Sequence, residues 1–200
     1  MKNSLIIVFF FVAGIFWGRT GNLPSWVYHD KAELYALYVL LLLVGINAAA
    51  DPNTDKLFSK LNKQMMAVPL LTIIGTYAGV ALVALCIKNL KMTDALAIGS
   101  GFGYYSLSSV LISEIRNEQI GVTALFANIF REIFTLLFTP LLVKYFGKLA
   151  PVSSGGATSM DTTLPLISKY SGKEYVVVSI FHGLLLSLLV PVMIALIYAF

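Results

Sequence analysis

Charge is the scarcest ingredient of this 200-residue chain: Asp, Glu, Lys and Arg make up 12% of it, against 58% hydrophobic residues. With a mean hydropathy of +0.84, that balance excludes a water-soluble domain and indicates an integral membrane protein. A single cysteine, Cys86, lies inside an apolar run and excludes both a disulfide framework and a cysteine-based metal site. Short alternating segments that would build a membrane barrel are missing, so the spans are expected to be helical. There is no Gly-x-Ser-x-Gly elbow, no His-Glu-x-x-His, no Walker loop and no cofactor fingerprint, which argues against an enzyme and calls for no cofactor or metal. The net charge of +4 counts loop lysines and arginines. It reads as topology and lipid contact, not as nucleic-acid binding.

What the chain does have is a series of apolar runs. A hydrocarbon core of about 30 Å needs about 20 apolar residues per helix. On that scale the sequence reads as one membrane domain over 1–200, with approximate spans 4–18, 32–50, 65–87, 93–113, 119–143, 155–168 and 175–199. The first run follows a lone Lys2 but has no small-x-small cleavage site at Gly18-Arg19-Thr20, so it reads as a retained helix. The second ends on Asp51-Pro52-Asn53, a helix-stop signal.

Two segments break the pattern. Near 99–109, Gly99, Gly101 and Gly103 disfavour a continuous helix; near 151–165, Gly, Ser and Thr abound between Pro151 and Pro165, as in a half-helix or re-entrant hairpin. Irregular backbone at membrane depth is tolerated where protein or a water-filled cavity satisfies it, and broken helices form substrate sites in transporters. A small-residue packing seam is the competing reading. The expected fold is therefore an all-α polytopic membrane helix bundle with two broken or re-entrant segments. Gly103-x-x-Ser106-Leu107-Ser108-Ser109 faintly echoes Gly156-x-x-Ser159-Met160-Asp161-Thr162. If the second irregular segment crosses fully, lysines and arginines divide almost evenly between the two sides and give no orientation.

The few intramembrane polar residues are the candidates for chemistry. Asp161, set among Thr158, Ser159, Thr162 and Thr163 with Gly156 nearby, is placed to bind a cation, an ammonium group or a proton, and burial would raise its pKa. It would equally serve as the N-cap of a helix beginning at Thr162. Asn128, Arg131, Glu132, Thr135 and Thr139 fall on one helical face that must look into the bundle. Arg131 would neutralise Glu114 or Asp161, grip a substrate carboxylate, or lock two helices in a buried ion pair. Glu33 reads as a helix-start charge. His182 is either a proton relay or a neutral brace between helices. Tyr104 and Tyr105, next to Ser106, would line a cavity or simply pack.

Taken in order, Gly101-Phe102-Gly103-Tyr104-Tyr105-Ser106-Leu107-Ser108, Asn128-x-x-Arg131-Glu132, Gly156-Ala157-Thr158-Ser159-Met160-Asp161-x-Thr163-Leu164-Pro165 and His182-Gly183 with Leu188-Leu189-Val190-Pro191 resemble the lysine exporter LysO family. The resemblance runs from about Leu34 to the C-terminus. It implies a multi-pass carrier in the cytoplasmic (inner) membrane of a prokaryote. The implied activity is export of L-lysine and thialysine, as an antiporter if protons flow back at Asp161. Asp161 takes the acidic position of the family motif. Ile129 stands where similar members often carry an acidic residue. Full-length members have extra N-terminal helices, so the chain looks like the larger half of a split exporter, completed by a small companion membrane protein or by homo-oligomerisation. The rival readings are a non-transporting scaffold subunit and a channel or exporter for another metabolite.

Overall fold

A computed structural model describes residues 63–88 and 90–199, together with 16–19, 39 and 42. The expected spans 4–18 and 32–50, the Asp51-Pro52-Asn53 stop and the Glu33 charge lie outside the described residues, except that 16–18, 39 and 42 are helical. These last belong to a unit over Met1–Leu43; everything that follows concerns the second unit, Val44–Phe200.

Among the described residues there are helices and no strand. Helix α1 is Lys63–Cys86, α2 Met92–Gly99, α3 Tyr105–Ile115, α4 Glu118–Phe146, α5 Ala150–Gly155, α6 Leu164–Tyr170 and α7 Val176–Ala199; 3-10 helices fill Gly156–Met160 and Lys173–Tyr175. Three stretches are long and apolar enough to cross a membrane: Ala67–Cys86, Glu118–Phe146 and Lys173–Ala199. The other helices are not. With 8 residues, α2 is about 12 Å long, well short of a bilayer core of about 30 Å.

Contacts at the helix ends fix the topology. Arg116, just after α3, pairs with Asp94 in the first turn of α2 (Nε to Oδ1, 3.0 Å), and Tyr198 at the end of α7 donates to the same oxygen at 3.2 Å. The α2–α3 pair therefore returns to the face it entered. Lys148, ahead of α5, lies 3.5 Å from Glu174, which follows α6, so the second broken segment does the same. His182 of α7 meets Thr72 of α1 at 3.0 Å in the first half of both helices, and Tyr198 at the end of α7 meets Asp94 shortly after the end of α1, so α1 and α7 run parallel. Among the described residues the result is three helices long enough to cross and two hairpins that turn back, hung from opposite faces. The α5–α6 hairpin hangs from the near face, where α1 begins, and the α2–α3 hairpin from the far face.

Crossing helix α4 shows how such a bundle holds together. Gly121, Ala124, Asn128, Thr135 and Thr139 are buried on one side, while Phe126, Phe130, Leu137 and Leu141 are exposed on the other. This inverts the water-soluble pattern because lipid tails solvate leucine and phenylalanine as well as a protein core does. Small side chains and hydrogen bonds, not hydrophobic burial, join the helices.

Candidate functional site

The two hairpin tips meet. Ala157 donates its N–H to Phe102 O at 2.7 Å, and the glycines of the faint sequence echo sit on either side of that bond. Gly103 has φ +95° and Gly156 φ +62°, both in the region that L side chains avoid. A Cβ on Gly103 would fall 2.8 Å from Gly155 O, and one on Gly156 would collide with Phe102 O. Each glycine thus makes room for the other hairpin's backbone. Phe102, fully buried against Tyr77, also holds a positive φ of 45°. A bulky residue tolerates that strain only where its surroundings over-determine it.

Both half-helices end at α4, and α4 caps both. Asn128 takes the Gly103 N–H on Oδ1 at 2.8 Å and donates from Nδ2 to Ile98 O in the last turn of α2. One turn further on, Arg131 donates from Nε to Ser154 O and from Nη2 to Ser153 O, both at 2.9 Å, at the end of α5. Its Nη1 reaches Thr76 Oγ1 of α1 at 3.2 Å. A helix C-terminus presents unpaired carbonyls and a partial negative charge, so a guanidinium is stabilised there without a carboxylate. This corrects the expectations for Arg131: it is paired with neither Glu114 nor Asp161, and its fork is occupied by protein carbonyls.

His182 is a brace of the same kind. It is fully buried, with Nε2 3.0 Å from Thr72 Oγ1 and Nδ1 3.1 Å from Ser159 Oγ and 3.2 Å from Gly156 O. Gly156 O only accepts, which assigns a proton to Nδ1. Ser159 also donates to Ser179 O. The residue therefore ties α1, the second tip and α7 together.

Beside the joined tips lies a cleft of about 200 Å³. Gly103–Ser106 of the first hairpin form one wall, and Ala157, Thr158 and Met160–Thr162 of the second form another; Glu132 and Ser187 complete it from α4 and α7. Of the residues singled out in the sequence, Asp161, Thr158, Glu132, Ser106 and Tyr105 share this cleft. Gly156, Ser159, Asn128, Arg131 and His182 stand behind it as its frame. Glu114 is at the exposed end of α3 and is not among the lining residues.

Two expectations for Asp161 need correction. It is exposed to the cleft, not buried. Nor does it cap a helix from Thr162, because α6 begins at Leu164. Ser187 is the lining residue that sequence reasoning passed over. Its signal is one hydroxyl in the middle of a long apolar helix.

Within a membrane helix bundle, then, two hairpins from opposite faces meet beside a carboxylate-lined cleft. The chain belongs to the lysine exporter LysO family, whose model matches residues 8–198. It is similar to Lysine exporter LysO of Escherichia coli K12, 38% identical over 165 residues, covering 82% of this chain and 54% of that protein. It is also similar to a Haemophilus influenzae protein named "Putative lysine exporter", 33% identical over 171 residues, covering 84% of this chain and 86% of the relative. The chain thus spans about half the length of the Escherichia coli relative. No solved structure matches it.

Proposed function

We propose that the protein is a secondary carrier that exports L-lysine, and with it thialysine, across the inner membrane of a prokaryote by alternating access. One observation carries the reading. Glu132 and Asp161, from different elements, face a single cleft where the two hairpins meet. Lysine brings two ammonium groups and one carboxylate, so its carrier needs anionic groups in a site that can open to either side. Asp161 takes an ammonium group or a counter-flowing proton; its exposure to the cleft suits either exchange.

Topology supports an orientation as well. With both hairpins re-entrant, the near face gathers Lys63, Lys144, Lys148, Lys169 and Lys173, and the far face Lys88, Lys91 and Arg116. The positive-inside rule then puts the near face in the cytoplasm. A small companion membrane protein, or a second copy of the chain, completes the exporter in this reading.

The test is efflux of radiolabelled lysine from cells lacking their own exporter, comparing the chain with Asp161→Asn at matched membrane levels. The variant is expected to fall to background. Equal export by both sinks the assignment of Asp161, and export that excess lysine fails to compete away points to another cargo.

A further inference from the structure

Most buried hydroxyls on the crossing and broken helices bond back one turn along their own helix. Thr72 reaches Val68 O, Ser108 reaches Tyr104 O, Thr135 reaches Arg131 O and Ser179 reaches Tyr175 O. This is the cheapest way to satisfy a hydroxyl in an apolar medium. Ser187 departs from it. Its Oγ is buried and has no hydrogen-bond partner, the residue is 3% exposed, and the residue is one of those lining the cleft, which Ser171, whose Oγ is likewise buried without a partner, is not. A buried unsatisfied hydroxyl is costly to keep, and such a group calls for an explanation.

A second feature of the same cleft supplies one. The first turn of α3, an 11-residue helix, opens onto it through Tyr105 and Ser106, and its N-cap residue Tyr104 provides no side-chain cap. Tyr105 N–H bonds Gly103 O and Ser108 N–H bonds Tyr104 O, so the Ser106 N–H, at the positive end of the helix dipole and on a residue that lines the cleft, is the one left to favour an anion there. The cleft is therefore polarised. Two carboxylates, Glu132 and Asp161, come from α4 and the second hairpin, while one amide donor and an uncommitted hydroxyl come from α3 and from α7, which packs against it.

We infer that Ser187 Oγ and the Ser106 amide at the start of α3 form a subsite for the carboxylate of a zwitterionic amino acid, whose ammonium groups turn toward Asp161 and Glu132. The inference rests on the carrier reading above and adds a direction to it: the cargo lies across the cleft with its acid end on the first hairpin. It also makes the carboxylate a requirement, so that a diamine of the same length is a poor ligand.

The experiment is calorimetric titration of the purified, lipid-reconstituted full chain with lysine and with cadaverine, which is lysine without its carboxylate. The unmodified protein is expected to prefer lysine by about ten-fold or more, the worth of hydrogen bonds to a charged group. Ser187→Ala should weaken lysine by about ten-fold while moving cadaverine by less than about two-fold; Ser187→Thr, which keeps the hydroxyl, should restore most of the lysine affinity. The unliganded Ser187→Ala protein should melt no lower than its parent, because the hydroxyl it loses was unsatisfied; a packing role predicts a lower melting temperature. Equal binding of lysine and cadaverine by the unmodified protein overturns the subsite without any variant. So does a Ser187→Ala protein that binds lysine as tightly as its parent. If the unmodified protein binds neither ligand, the carrier reading and the subsite fall together.

Discussion

Gly156→Ala tests the meeting of the hairpins, and its cost follows from two separate contributions. The backbone at Gly156 has φ +62° and ψ −126°, outside the regions open to an L residue, which costs about 1–3 kcal/mol. The new Cβ would also run into Phe102 O, a backbone atom that cannot swing aside. Relief requires the tips to separate, which breaks the 2.7 Å bond from Ala157 N–H to Phe102 O; leaving such buried groups unpaired costs about 1–3 kcal/mol. The total is about 2–6 kcal/mol. Gly147 isolates the second contribution: its φ of +90° and ψ of 172° are as demanding, yet nothing lies within 4 Å of a Cβ built there. Gly147→Ala should therefore cost only the conformational part, about 1–3 kcal/mol. Unfolding in graded sodium dodecyl sulfate, followed by circular dichroism, gives the two differences under one protocol. Equal losses in the two variants would refute a load-carrying contact between the tips.

Two further outcomes are expected. Arg131→Lys keeps the charge but cannot reach Ser153 O, Ser154 O and Thr76 Oγ1 together, so it should lower stability by about 1–3 kcal/mol in the same assay; a silent substitution would show that the guanidinium fork is not what joins α5 to α4. Cys86, the chain's single cysteine, is exposed at the far-face end of α1, so in intact cells it should react with a membrane-impermeant maleimide while Lys148→Cys in a Cys86→Ser background stays protected; the reverse pattern would invert the orientation.

The irregular segments were legible because glycine clusters and proline pairs forbid a plain span, and α4 was legible from its polar stripe. A re-entrant hairpin was already one reading of the second segment, but that the first also turns back was hidden: the 23 residues 93–115 have the composition of a crossing helix, and only the Asp94–Arg116 contact reveals the return. At the site, a carboxylate such as Asp161 advertises itself by the cost of its charge. The partners of Arg131 stayed hidden for the same reason, since an intramembrane cation suggests a carboxylate and the sequence does not display the free carbonyls at the end of a six-residue helix. Ser187 was missed because one serine among leucines carries no pattern. Its significance lies in a bond it does not make.

The shortness of the half-helices bears on how the protein is made. At 8 and 6 residues, α2 and α5 are too short to be threaded across a bilayer as spans. The first hairpin is synthesised before the Asn128 that caps it and before the Ala157 amide that meets its tip. It must therefore wait at the membrane surface, or loosely within the bilayer, until α4 has crossed and the second hairpin has followed. The cleft is then completed late, because a nascent chain halted before α7 lacks both Ser187 of its wall and His182, which braces the second tip.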